Sequence, residues 1–196
     1  MGKKRIVTIS RTYGSGGREV GEKLARELGI SFYDKNLLLE MSERTGISPE
    51  GLKNADEKLL DRLADPYAAG IRQQYGTNLY LYRIEKKLIE EIAERESCVI
   101  VGRLADWILK DRTDVLKVFI TAPEEDRISR IMGKEEVTRE QAQKLIKEVD
   151  RMRKKYYAFF TDDKWKSTEN RDIVINSSFQ GIDGAVEILK YILEMA

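Results

Sequence analysis

Residues 6–20 run Ile-Val-Thr-Ile-Ser-Arg-Thr-Tyr-Gly-Ser-Gly-Gly-Arg-Glu-Val: a short β-branched stretch, a glycine cluster, then a helical pattern. This is the layout of a phosphate-cradling loop. Glycine permits positive φ and close approach, so that consecutive backbone N–H groups can point inward at an anion. The helix that follows adds its positive N-terminal end. A standard P-loop ends Gly-Lys-Ser/Thr, whereas this one ends Gly17-Arg18-Glu19. The loop has the right layout and altered side chains.

The remaining pattern fits the same architecture. Apolar runs at Ile6–Ser10, Cys98–Val101 and Val115–Thr121 read as buried parallel strands, with a fourth at Asp172–Asn176 and a short one near Phe32–Asp34. Between them lie amphipathic helical stripes. One carries Val20, Leu24, Ala25 and Leu28 and ends at Gly29; another carries Leu81, Ile84, Leu88 and Ile92. A third carries Ala142, Leu145, Ile146, Val149, Met152 and Tyr156, and the last Ile182, Val186, Leu189 and Leu193. Strands alternating with helices predict an α/β fold of three layers: a parallel sheet of about five strands with helices on both faces. Residues 1–196 read as one domain, with mostly helical excursions at about 35–80 and about 133–168.

Composition removes several function classes. Thirty-five basic against 34 acidic residues argue against a general nucleic-acid-coating role. Ile6–Ile9 is far too short to span a membrane. The single cysteine, Cys98, cannot form an internal disulfide, which fits a reducing cytoplasm. Histidine is absent, so imidazole-based hydrolysis and His-ligated zinc are excluded.

The stretch Ser10-Arg11-Thr12-Tyr13-Gly14-Ser15-Gly16-Gly17-Arg18-Glu19, with Phe32-Tyr33-Asp34-Lys35, Val101-Gly102-Arg103 and Val174-Ile175-Asn176-Ser177-Ser178, resembles the cytidylate kinase-like family over nearly the whole chain. The resemblance implies a P-loop kinase fold, ATP with Mg²⁺, a helical lid and a small phosphorylated acceptor such as CMP. It places the donor phosphates on Arg11, Gly14, Ser15, Gly16, Gly17, Arg18 and Glu19, with Lys134 from the lid and Ser177 and Ser178 from the last loop. Gly17 falls where the phosphate-binding lysine belongs. Arg18, one residue on, is the first surrogate cation, and Arg11 the second. Glu19 either ligates Mg²⁺ or complements the helix N-terminus.

Arg103, beyond the end of a buried strand, stands where the ligand crevice of an open α/β sheet lies. The resemblance gives it the acceptor phosphate, with Asp34, Lys35 and Arg83 nearby. Asp34 is equally an acceptor-site residue of the family motif or a helix N-cap, and with Glu19 it is a candidate metal contact. Val101 stands where the resembling kinases carry an acid. Arg130 begins the lid, and Arg151 and Arg153 lie on its return, where cations can close over the transferring group. The aromatics at 156–165 read as core packing, or as a homodimer contact through Tyr157 and Trp165. Two other readings stand beside transfer to CMP: a kinase for a different small molecule, and a catalytically weak nucleotide sensor.

Overall fold

The computed structural model describes residues 4–34, 36–48, 50–51, 76–161, 164–166 and 168–195. Five parallel strands form one sheet: β1 (Ile6–Arg11), β2 (Ser31–Tyr33), β3 (Cys98–Val101), β4 (Val115–Thr121) and β5 (Ile173–Asn176). Their order is β2-β3-β1-β4-β5, so the strand feeding the glycine loop is central. Its alternation explains the layers. Val7 and Ile9 point to one face, where α1 (Gly17–Leu28) and α7 (Ser177–Met195) cover them with Val20, Leu24, Val186 and Leu189. Ile6 points to the other, packed with Leu37 of α2 (Asn36–Thr45) and Leu88 and Ile92 of α3 (Gly76–Arg95). The architecture matches the sequence expectation. Phe32–Asp34 is shifted by one residue, and Asp34 lies just past the strand end.

A short helix α4 (Ala105–Ile108) follows β3, and the hairpin of α5 (Glu124–Glu135) and α6 (Arg139–Phe160) follows β4. Thr138 starts α6 through a capping box with Gln141, which fixes the turn between the two helices. Ile128 and Ile131 of α5 pack on Ala142 and Ile146 of α6, with Tyr13 of the glycine loop against them. The hairpin is thereby seated on the loop.

The aromatics of α6 resolve as core. Tyr157 and Trp165 are 3% and 6% exposed, clustered with Leu104 and Phe119. They therefore offer no surface for the homodimer contact raised from sequence. Burial also pushes the Cys98 thiol up to about 12. Among the described residues no helix is long and apolar enough to cross a membrane.

Candidate active site

Two clefts meet at the carboxyl ends of β1 and β3. The first, about 340 Å³, is floored by Tyr13, Gly14, Gly16 and Gly17 and roofed by Arg130 and Lys134 of α5. The second, about 310 Å³, is lined by Gly102 and Arg103 after β3 and by Val149, Met152 and Tyr156 of α6. Arg11, Asp34 and Arg153 line both.

The loop earns its shape from glycine at two points. Gly14 has φ +79°, and a Cβ there would stand 2.9 Å from the Arg127 carbonyl oxygen. Gly16, the N-cap of α1, has φ +75°, and a Cβ there would overlap Ile182 Cδ1 and stand 3.3 Å from Arg130 Cζ. Ser15 is fully buried, its hydroxyl 2.9 Å from the Thr12 carbonyl and 3.1 Å from that of Ile120. The Ser177 hydroxyl donates to the Ser15 carbonyl at 2.6 Å. Both side chains brace the loop from behind. Ser178 is exposed, and its backbone N–H donates to Asn176 Oδ1 at 3.1 Å.

The charged groups form three knots. Arg18, half exposed, donates through Nε to Asp34 at 2.7 Å and through Nη1 to Glu22 at 2.8 Å. These bonds raise its pKa, the Asp34 bond most. Glu19 receives Arg130 at 3.1 Å, with Lys134 at 3.8 Å, so both hairpin cations stand over the loop on one carboxylate. Asp150 of α6 accepts from the Tyr13 backbone N–H at 2.8 Å and from the buried Arg127 at 2.7 Å. The spacing of Asp150 and Arg153 in the chain suggests no more than an intrahelical pair; the tie to the loop depends on a contact 137 residues away.

Arg11 and Arg153 are the cations at the junction. Arg11 Nη2 lies 3.8 Å from Asp34 Oδ1. Burial, with Arg153, Arg103 and Arg18 around it and Asp34 alone opposing, pushes its guanidinium down to about 9. Arg153 donates to the Arg11 carbonyl at 3.0 Å and lies over the Tyr13 ring, and burial lowers its pKa too. Arg11, Arg18, Arg103 and Arg153 converge around Asp34, an arrangement suited to an anion.

Arg103 sits in the left-handed region at φ +56° and pairs with Glu85 at 3.3 Å. Glu85, 2% exposed on α3, escaped the sequence reading. An acid four residues after Leu81, beside an otherwise apolar stripe, was its only signal.

Three sequence-assigned residues lie apart from this junction. Arg151 is exposed and lines another cleft with Lys147 and Lys154, because its place on α6 turns it away from the side that carries Arg153. Arg83 is exposed on α3 and lines neither site cleft, whereas its neighbour Tyr82 stacks on Phe160 at 4.3 Å. Ser178 lines neither cleft. Lys35 lies outside the described residues.

The carboxylates near the loop are paired with cations rather than grouped as a Mg²⁺ site. Glu19 and Asp34 are hard oxygen donors of the right type, but each is already held by guanidinium groups. Val101 adds none, and among the described residues no three acidic, Cys or His side chains cluster.

Comparison with known proteins bears on the family and the fold. The family model described as the cytidylate kinase-like family matches residues 6–179. The chain is 32% identical to a cytidylate kinase of Ignicoccus hospitalis over 193 residues, 96% of this chain and 98% of that one. It is 26% identical to a cytidylate kinase of Pyrococcus horikoshii, over 95% and 87% of the two chains. An uncharacterized protein from Eubacterium ventriosum superposes with TM-score 0.74 at 27% identity, over 98% and 100% of the chains. Shikimate kinase from Bacteroides thetaiotaomicron, at TM-score 0.55, 16% identity and 97% and 98% coverage, shares the fold. With the family model matching residues 6–179, the chain belongs to the cytidylate kinase-like family, a family of P-loop phosphotransferases.

Proposed function

We propose that this chain moves the γ-phosphoryl group of ATP to the phosphate of a nucleoside monophosphate, CMP foremost. The observation that carries the reading is the shared wall: Arg11, Asp34 and Arg153 border both the loop cleft and the Arg103 cleft. A donor on the glycines and an acceptor on Arg103 would meet there. The first-turn N–H groups of α1 and the helix N-terminus hold the donor phosphates, with ATP bringing Mg²⁺ on its own oxygens. An acceptor phosphate oxygen bonds to Pγ as the bond from Pγ to the β–γ bridging oxygen breaks, and ADP leaves. The acceptor is already an anion, so no side chain need remove a proton. Arg11 and Arg153 neutralise charge on the transferring group, and Arg130 and Lys134 exchange Glu19 for nucleotide phosphate. The choice of CMP rests on the cytidylate kinases to which the chain is similar.

A second reading is transfer to a hydroxyl, favoured by Asp34, a carboxylate at the junction able to take a hydroxyl proton. The test is ADP formation from Mg·ATP across CMP, dCMP, UMP, AMP, GMP and a set of polyols and hydroxy acids. CMP giving the highest kcat/KM supports the proposal. Turnover of a hydroxyl compound with none of any monophosphate supports the second reading. Tight ATP binding with no turnover of any acceptor makes the chain a sensor and ends both.

A further inference from the structure

We propose that Arg11 performs the task of the missing P-loop lysine, by an exchange of residues between the two ends of the loop. The inference rests on the kinase reading above. The P-loop pattern is a glycine, four residues, then Gly-Lys. Setting Gly16 on the second glycine puts Gly17 at the lysine and Arg11 at the first glycine. The chain carries a cation where the pattern has glycine, and glycine where the pattern has the cation.

The packing shows why the two changes belong together. A Cβ on Gly17 would stand 2.6 Å from Arg11 Cβ, 3.1 Å from Arg11 Cγ and 3.1 Å from Ile120 Cβ. Those Arg11 atoms are the fixed root of its side chain, not a movable tip, so any larger residue at position 17 collides with it. At its far end, Arg11 passes over Gly102, where a Cβ would overlap Nη1. Gly102 has φ +78°, a backbone conformation that favours glycine. The Arg11 stem thus runs in a slot between two glycines, and its guanidinium emerges in the wall common to both clefts. Arg18 lines the loop cleft alone and is tied to Asp34 and Glu22. It acts on the site through Asp34, as a positioning residue.

The test compares Arg11→Met, Arg11→Gly, Gly17→Lys and the double variant Arg11→Gly/Gly17→Lys with the parent protein, in kcat, ATP affinity by calorimetry and Tm. Arg11→Met keeps a stem in the slot and removes a charge crowded by other cations. It should melt no lower than the parent yet lose about 100-fold in kcat, the scale of one lost transition-state donor. Gly17→Lys alone should lower Tm through the collision. The double variant, which removes the obstructing Cβ and restores the usual order, should melt above Gly17→Lys and recover at least about tenfold in kcat over Arg11→Gly. Arg18→Ala should cost less in kcat than Arg11→Met. A kcat and ATP affinity for Arg11→Met within about threefold of the parent would overturn the assignment, as would a double variant no better than Arg11→Gly. If the parent turns over no acceptor, the kinase reading fails by itself. ATP affinity then decides the exchange: lowered in Arg11→Gly and regained in the double variant supports it, and any other order refutes it.

Discussion

At the scale of single residues, the choice of arginine at position 11 has an electrostatic reason. The group faces Arg153 from α6, Arg103 from the turn after β3, Arg18 from α1 and the carboxylate of Asp34. Burial first, and then those cations, lower the Arg11 guanidinium to about 9, which leaves it charged at neutral pH. The same surroundings would lower a lysine too, and from a lower ordinary value than that of arginine. Arg11→Lys should therefore lose activity with rising pH earlier than the parent does. A pH–rate profile of both proteins checks this; superimposable profiles would contradict it. Gly102→Ala tests the other end of the slot. Positive φ opposes the methyl, and the Arg11 tip must move to make room for it. It should cost about 1–3 kcal/mol in urea unfolding and reduce kcat through displacement of Arg11.

At the scale of elements, α6 is the piece that joins loop, hairpin and sheet. Asp150 takes both the Tyr13 amide and Arg127, which is buried among these groups. Asp150→Ala leaves Arg127 without its carboxylate and should destabilise the fold by about 3 kcal/mol, measured by chemical unfolding. One turn and more along the helix, Tyr157 lies beside the Asp106–Arg171 pair, 2.5 Å apart and sealed from water. Arg171→Ala should cost about 3–5 kcal/mol, whereas replacing both members by Leu and Met should cost far less, because no lone buried charge remains. The helices and strands were legible in the chain because each carries its period plainly: four apolar residues in a row for β3, Leu81–Ile92 at helical spacing for α3. Phe32–Asp34 was offset by a residue because a strand of three residues offers too short a pattern to fix its end.

At the scale of the whole molecule, what sequence could reach was the list of cations, and what it could not reach was their grouping. The glycine spacing shows the loop, and Arg103 follows from its place beyond a strand end. Arg11's role depends on the register of β1 against both α1 and β3, which sets Gly17 and Gly102 on either side of its stem. Glu85 and Asp150 likewise meet their partners only through tertiary packing. Arg151 and Arg153, two apart on one helix, were given one task, yet that spacing turns them to different sides.

The central claim is that the two clefts are halves of one site meeting at Arg11 and Arg153. A bisubstrate compound joining adenosine and cytidine through five phosphates tests it most directly, by calorimetry against ATP and CMP separately. Spanning both clefts turns the second contact into an intramolecular one, so the linked compound should bind at least about 100-fold tighter than ATP. Arg103→Ala should remove most of that gain while leaving ATP affinity nearly unaltered. Affinity no better than that of ATP alone would show that the clefts do not work together, and would contradict the account.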